Sequence, residues 1–414
     1  MKIAILGGAG LMGSGIVRDL ISDRTIIRLE TIRIADASRP RIDALIGELG
    51  DERLEAFDLD VSNPRRLAAA VSGVDIVINS VPTLLGHQMA IFAACLAASV
   101  TYTDLGGLGT YTVRQKAMHE KFRAAGVAAV IGTGSDPGMS NVICRAVADE
   151  LDTIDAINLY WAAELVGPEN PILVPPYSIS TVLAEYARPS TQFLNGRHEG
   201  CAAMTGREVL DLPEPWGRAE FMYSPHSEQL TVPLADGIRQ KGIREFTWKL
   251  HLPHREHEAW VGLVKAGFGD FDDPVTVGGA SVKPLDVLSA IINRNIERNR
   301  DRIPEQAGHE LHFAIGHGTR AGKPATVRCD VVIKPDPMYA AYVDAGTSMN
   351  ASIAAQLLLA GAARPGVWAP EETFDVAAYF AEMRKRNFAV SLSVAEGDAP
   401  AAIPSGIGTE ASTA

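Results

Sequence analysis

Apolar positions in the first third of the chain alternate between short unbroken runs and helical spacing. Ile3-Ala4-Ile5-Leu6 is such a run, and Ile16, Val17, Leu20 and Ile21 then recur with the period of a helix. The same change repeats along the chain. Thr31 to Ala35 ends on Asp36, Glu55 to Leu59 ends on Asp60, a helix follows Asn63-Pro64, and Asp75 to Ser80 is strongly apolar. A helix from Gly86 to Ala98, a strand from Val100 to Asp104, a helix from Thr110 to Ala125 and a strand from Val127 to Ile131 continue it. Apolar strands separated by helices predict an α/β fold, a Rossmann-type doubly wound parallel sheet. A polar loop, Gly132 to Asn141, then leads into an apolar helix from Val142 to about Leu151.

From Asp155 the texture becomes strand-like: Ile157 to Trp161, Gln192 to Arg197, Phe246 to Leu252, and a hairpin from Leu311 to Ile333 turning near Arg320 to Pro324. Helices are expected at about Glu256 to Ala266 and Leu285 to Arg300, so this part reads as an α+β substrate domain with a mixed or antiparallel sheet. An Ala- and Leu-rich helix follows from Asn350 to Ala363, then Pro365-Gly366-Val367-Trp368 and a helix around Phe374 to Arg386. The expected domains are 1–135 and 136–345, and 396–414, without apolar periodicity, is expected to be a disordered tail.

The turn between the first strand and helix is Gly7-Gly8-Ala9-Gly10-Leu11-Met12-Gly13. In that context Gly8 permits the tight turn, Gly10 lets the backbone approach a pyrophosphate, and Gly13 allows the helix to pack on the strand. Free amides at the helix start then face the phosphates. The spacing at 7, 10 and 13 also fits the short-chain dehydrogenases, but none of the nine tyrosines has the lysine four residues later that those enzymes need. Asp36 stands where a carboxylate meets the adenosine ribose, which favours NAD; Arg39 and Arg41 keep NADP open, and Asp36 could also cap the next helix. The expected cofactor contacts are Gly8, Gly10, Leu11, Met12, Gly13, Asp36, Ala37, Asp60, Asn79, Val81 and Pro82.

Charge narrows the partner. With a formal net charge of -12, a polyanion would be repelled over most of the surface, so neither nucleic acid nor an anionic membrane is expected. A small molecule is the expected ligand. Cys95, Cys144, Cys201 and Cys329 are scattered and form no paired motif, which fits a reducing cytoplasm. The start of the chain has no basic region or cleavage pattern of a secretory signal, and apolar stretches such as Met89 to Val100 are too short to span a bilayer. Two histidine sets, His251, His254 and His257, and His309, His312 and His317, lack the spacing of a known zinc site, so no metal is expected.

The glycine loop, Ser135-Asp136-Pro137-Gly138, Tyr177 to Thr181, His226-Ser227-Glu228, and Gly361 through Gly366-Val367-Trp368-Ala369-Pro370-Glu371 occur in one order. In this ordered set the chain resembles the saccharopine dehydrogenase-like family, and within it the lysine 6-dehydrogenase and carboxynorspermidine dehydrogenase branch. The resemblance implies oxidation at the C–N bond of an amino acid or amine, or the reverse reductive condensation, with a dinucleotide cofactor. It also implies a homodimer formed through the second domain's sheet, and C-terminal helices, about 346–390, that return to complete the first domain.

Such chemistry needs a neutral amine, so a base or a selective site must serve the nitrogen. Candidate bases are Asp136, Asp104 and His226, with His87 a weaker fourth. Asp104 and Asp136 follow the fifth and sixth strands, at the carboxyl edge where ligands of open α/β sheets lie. By similarity His226 would reach across from the second domain. Tyr102, Ser140, Asn141, Tyr177 and Ser178 are expected substrate contacts, although Ser140 and Asn141 would serve equally as helix caps and Tyr177-Ser178 as a linking turn. Two other readings remain open here, a redox-neutral lyase or cyclodeaminase that retains NAD, and a dinucleotide-binding protein without turnover.

Overall fold

Two sheets meet along one crevice. A computed structural model describes residues 1–107, 109–339 and 342–396. The expected tail beyond Glu396 lies outside the described residues. The first region runs β1 (Lys2–Leu6), α1 (Leu11–Ile21), β2 (Thr31–Asp36), α2 (Arg39–Leu49), β3 (Leu54–Asp58), α3 (Pro64–Val71), β4 (Ile76–Asn79) and α4 (Gln88–Ala98). It continues with β5 (Thr101–Asp104), α5 (Thr112–Lys116), α6 (His119–Ala124), β6 (Ala128–Val130) and α7 (Met139–Asp149). The helix expected from Thr110 to Ala125 is thus two short helices. All six strands pair in parallel in the order β6-β5-β4-β1-β2-β3, and the winding reverses between β1 and β4. Alternate residues feed opposite layers: Ile3, Ile5, Ile32, Ile34, Ile76 and Ile78 pack with Ile16, Val17 and Leu20 of α1, whereas Ala4, Leu6 and Val77 pack with Phe92 and Tyr102.

The second region holds β7 (Thr153–Val166), α8 (Ile179–Ala187), β8 (Ser190–Leu194), β9 (Arg197–Cys201), β10 (Glu208–Asp211), β11 (Arg218–Tyr223), α9 (Glu228–Thr231) and β12 (Glu245–His251). Then come α10 (His254–Lys265), β13 (Val275–Val277), β14 (Ala280–Val282), α11 (Pro284–Arg298), β15 (Ala307–Arg320) and β16 (Lys323–Ile333). The chain closes with α12 (Tyr342–Leu357), β17 (Gly366–Trp368), α13 (Pro370–Thr373), α14 (Val376–Arg384) and β18 (Ala389–Glu396). The larger sheet has the path β10-β11-β12-β7-β15-β16-β18, with β8 and β9 branching from β12. It is mixed, because β12 runs parallel to β7 while β15 and β16 are antiparallel to their neighbours.

The last stretch returns to both sheets. β17 adds a seventh parallel strand beside β6, and β18 pairs with β16 in the other sheet. α12 packs on α1, with Ser348 Oγ donating to Met12 O at 2.9 Å; a Cβ on Gly15 would stand 2.4 Å from Ser348 Oγ. Just beyond α14, the fully buried Arg386 donates to Asp19 from Nε and Nη2, each at 2.9 Å, and from Nη1 to Glu382 Oε2 at 3.1 Å. Among the described residues, no helix is long and apolar enough to cross a membrane.

Candidate functional site

At the reversal point the amides of Gly7 and Gly8 donate to Ala35 O and that of Gly10 to Gly7 O, so the donors left for a ligand are the first-turn amides of α1. Gly7 holds φ at +77°, and an added Cβ on Gly13 would fall 2.2 Å from Gly7 O and 2.6 Å from Gly8 Cα. Only glycine fits there. Asp36 closes the turn from β2, accepting from Ala9 N at 3.2 Å and Ser38 N at 3.1 Å. A pocket of about 520 Å³ starts here and runs along the ends of β4 and β5 to the second region. Gly10, Leu11, Met12, Gly13, Asp36, Asn79, Val81 and Pro82 line it, together with Arg41. A helix N-terminus beside a fixed carboxylate fits a dinucleotide. Gly13→Ala is expected to weaken NAD binding at least about tenfold, roughly 1.4 kcal/mol, as the turn shifts to admit the methyl; calorimetry would read it.

Three expected cofactor contacts do not line this pocket. Gly8 lies beneath the turn, where a Cβ would meet Ile5 O at 2.9 Å and the Ile34 side chain at 3.0 Å. Ala37 is outside the lining, and Asp60 turns to Ser62, accepting from its N at 2.9 Å and its Oγ at 2.6 Å. Those bonds hold the Asp60 carboxyl below its usual range.

Asp104 also departs from expectation. Its Oδ2 accepts from Gln88 Nε2 at 2.6 Å, Tyr102 OH at 2.7 Å and Gln115 Nε2 at 2.7 Å, and its Oδ1 from the amides of Gly106 at 3.0 Å and Gly132 at 2.8 Å. A fully buried carboxylate with five donors fixes the loops under the pocket and has no room for a substrate proton. Tyr102 serves the same hub, pairing with Asn79 Nδ2 at 3.1 Å, and its burial beside Asp104 pushes its phenol well up. Ser140 donates to Glu228 Oε1 at 2.7 Å; Asn141 caps α7 through Gly138 N at 2.9 Å and donates to Glu371 at 2.8 Å. Both are buried behind the pocket wall. His87, at the start of α4, is outside the lining as well.

The remaining expected residues do come together. Asp136, Tyr177, Ser178 and His226 line the far end of the pocket with Trp161, Glu185, Trp248 and Glu310. Two buried imidazoles are each held between two carboxylates. His312 Nδ1 lies 2.7 Å from Asp136 Oδ2, and its Nε2 lies 3.1 Å from Glu310 Oε2, which also accepts from Trp161 Nε1 at 2.9 Å. His226 Nδ1 lies 3.1 Å from Glu228 Oε2, its Nε2 lies 3.8 Å from Glu185 Oε1, and its ring stacks on Trp248 at 3.9 Å. Glu185 Oε2 accepts a short bond from the Tyr177 hydroxyl. Burial alone would lower both imidazoles, but the flanking carboxylates outweigh it and raise His312 to about 9 and His226 to about 10. Both are therefore cations at neutral pH. Burial pushes the Glu185 carboxyl up, against the pull of His226 and Tyr177. Asp136 Oδ1 and Glu310 Oε1, both shielded from solvent, have no hydrogen-bond partner among the described residues.

His312, Glu310, Glu185 and Trp161 were not among the expected site residues. Glu310 and His312 share one face of β15 by their spacing of two, and His312 stands opposite Trp161 of β7 in register. That spacing was available as a signal, but the sequence weighed His312 only as a metal ligand. In the structure His312 reaches carboxylates, and among the described residues no group of three or more His, Cys, Asp or Glu side chains is arranged to hold a metal ion.

Comparison with known proteins gives four matches of weight. Residues 3–130 match the family model described as the saccharopine dehydrogenase NADP binding domain. A carboxynorspermidine synthase of Vibrio cholerae is 25% identical over 320 residues, 69% of this chain and 71% of that protein. A carboxyaminopropylagmatine dehydrogenase of a Synechocystis species is 27% identical over 308 residues, 70% of this chain and 72% of the relative. Among solved structures, apo saccharopine dehydrogenase (L-Glu forming) from Saccharomyces cerevisiae superposes with a TM-score of 0.70 over 95% of this chain and 99% of that chain, at 14% identity. The last of these speaks for the fold alone.

Proposed function

We propose, from the likeness of residues 3–130 to the saccharopine dehydrogenase NADP binding domain, that the chain is an NAD(P)-dependent oxidoreductase of a secondary amine bearing a carboxylated aminopropyl arm. The names of the two relatives above supply that chemical class for those proteins, and the pocket of this chain suits it. The observation that carries the reading is charge. The end of the pocket away from the nucleotide presents Asp136, Glu185 and Glu310, and Arg41, the one lysine or arginine among the described lining residues, stands at the nucleotide end. The two imidazolium ions leave each trio one charge negative. Cationic nitrogens are attracted to such a site.

Bound on the glycine turn, an oxidised nicotinamide supplies a hydride acceptor. Asp136 pairs with the substrate's ammonium while His312 and Glu310 hold the carboxylate in place. Ser178, Ser180 and Thr181, at the start of α8, offer hydroxyls to the substrate's carboxylate. Trp161 and Trp248 wall the methylene chain from water. His226 keeps a positive charge beside Glu185.

NAD is the proposed cofactor in preference to NADP. Asp36 would repel a 2′-phosphate, and Arg39 is already engaged by Asp43 at 2.8 Å and Asp58 at 3.6 Å. Asp36→Ala is expected to shift the ratio of the two dissociation constants toward NADP by about tenfold or more, roughly 1.4 kcal/mol, as read by calorimetry. The proposal extends to a cytoplasmic homodimer formed through the second sheet. Leu392 and Val394 stand exposed on its β18 edge, apolar surface of the kind such a contact covers.

The test is oxidation of carboxynorspermidine, carboxyaminopropylagmatine, saccharopine and lysine with each cofactor, followed by the near-ultraviolet absorbance of the reduced nicotinamide. Turnover of the first two above the others is the expected result. No reduction with any of the four overturns the reading.

A further inference from the structure

We propose that Glu185 takes the proton from the reacting nitrogen, with the Tyr177 hydroxyl as the link between them, while Asp136 serves only to hold the cation. The inference rests on the amine-oxidising reading above and assigns separate work to the two carboxylate trios. They look alike but differ in what their pocket-facing carboxylate touches.

Asp136 has a cation 2.7 Å from Oδ2 and leaves Oδ1 without a partner. That is the arrangement of an anchor, a carboxylate fixed on one side by a cation and with acceptor capacity left over for an ammonium. Glu185 has both oxygens engaged: Oε2 by the Tyr177 hydroxyl, and Oε1 by His226 at 3.8 Å. Both Glu185 and Tyr177 line the pocket. The chain of contacts then continues inward, from His226 Nδ1 to Glu228 Oε2 at 3.1 Å and from Glu228 Oε1 to Ser140 Oγ at 2.7 Å. Every group behind Glu185 is buried, so a proton delivered there is shielded from solvent. Burial favours the neutral carboxylic acid, which is the form a base reaches once it has done its work.

The step balances. An N–H bond of the substrate ammonium breaks as Tyr177 Oη gains that proton and passes its own to Glu185 Oε2. The nitrogen now carries a lone pair. As the adjacent C–H bond breaks, its electron pair goes to the oxidised nicotinamide dinucleotide and the nitrogen lone pair forms the C=N bond of an iminium. The proton stays on Glu185 until product leaves.

The closing experiment compares wild type, Glu185→Gln, Tyr177→Phe and Asp136→Asn in the NAD-loaded enzyme with carboxynorspermidine and carboxyaminopropylagmatine across pH. Gln keeps an oxygen to accept from Tyr177, so the wall is preserved. Glu185→Gln is expected to lower kcat by about a hundredfold or more with KM and NAD affinity little changed. Its rate should then climb with pH as the amine loses its proton unaided, with no plateau near neutrality. Tyr177→Phe should lower kcat less, and Asp136→Asn should raise KM as well and keep the acid limb of the profile. If Glu185→Gln keeps the wild-type acid limb, or if that limb vanishes in Asp136→Asn instead, the assignment to Glu185 is overturned and the amine-oxidising reading stands. Absence of turnover by the wild-type enzyme overturns both.

Discussion

Replacing Asp136 by Asn is expected to lower kcat/KM for the amine substrate by about a thousandfold, roughly 4 kcal/mol, within the range for removing one partner of a buried charge pair, and to change the NAD dissociation constant less than about twofold. The side chains match in size, so the pocket keeps its shape. The charge does not. Asn at this position cannot pair with an ammonium, and it leaves His312 with Glu310 as its only counterion. His312 would then lose its proton at a lower pH than it does beside two carboxylates, because one of the two groups that raise it is gone. Steady-state kinetics read the first effect and calorimetry the second. Unaltered kcat/KM would remove Asp136 from the site.

The second large effect is one of stability. Arg386→Ala is expected to cost about 3–5 kcal/mol, because it strands Asp19 and Glu382 in the interior without their cation. The loss should appear as a lower denaturant midpoint, and replacing both Arg386 and Asp19 by apolar residues should restore much of it. A loss under about 1 kcal/mol would mean that water replaces the guanidinium.

β1 to β6 were legible because parallel strands buried on both faces read as apolar runs. β17 was not: Gly366–Trp368 is three residues after a proline, and its pairing with β6 makes it a strand. β7 and β15 are 14 residues each, but only the centre of β7 and the later part of β15 carried a readable pattern. α8 was hidden behind Tyr177-Ser178, which read as a motif or a turn. At the site, a polar residue ending a strand looks the same in sequence whether it faces the cleft or gathers donors beneath it. Asp136 turned out to be the first kind and Asp104 the second. Glu185 gave no sign, since a carboxylate on a helix is ordinarily solvated, and only tertiary packing places it, buried, beside His226 and Tyr177.

Because β17 finishes one sheet and β18 the other, synthesis of the chain has an unusual order of events. A ribosome that has made the whole glycine turn, the crevice and both imidazole traps still holds back the final strand of each layer. The nascent protein leaves the exit tunnel with two open edges at once, at β6 and at β16, and each invites a stray strand from a neighbouring polysome. Premature termination between Thr347 and Gly366 yields a polypeptide that has the glycine turn and both buried histidines and neither finished edge, so such fragments should aggregate and not accumulate as an active core.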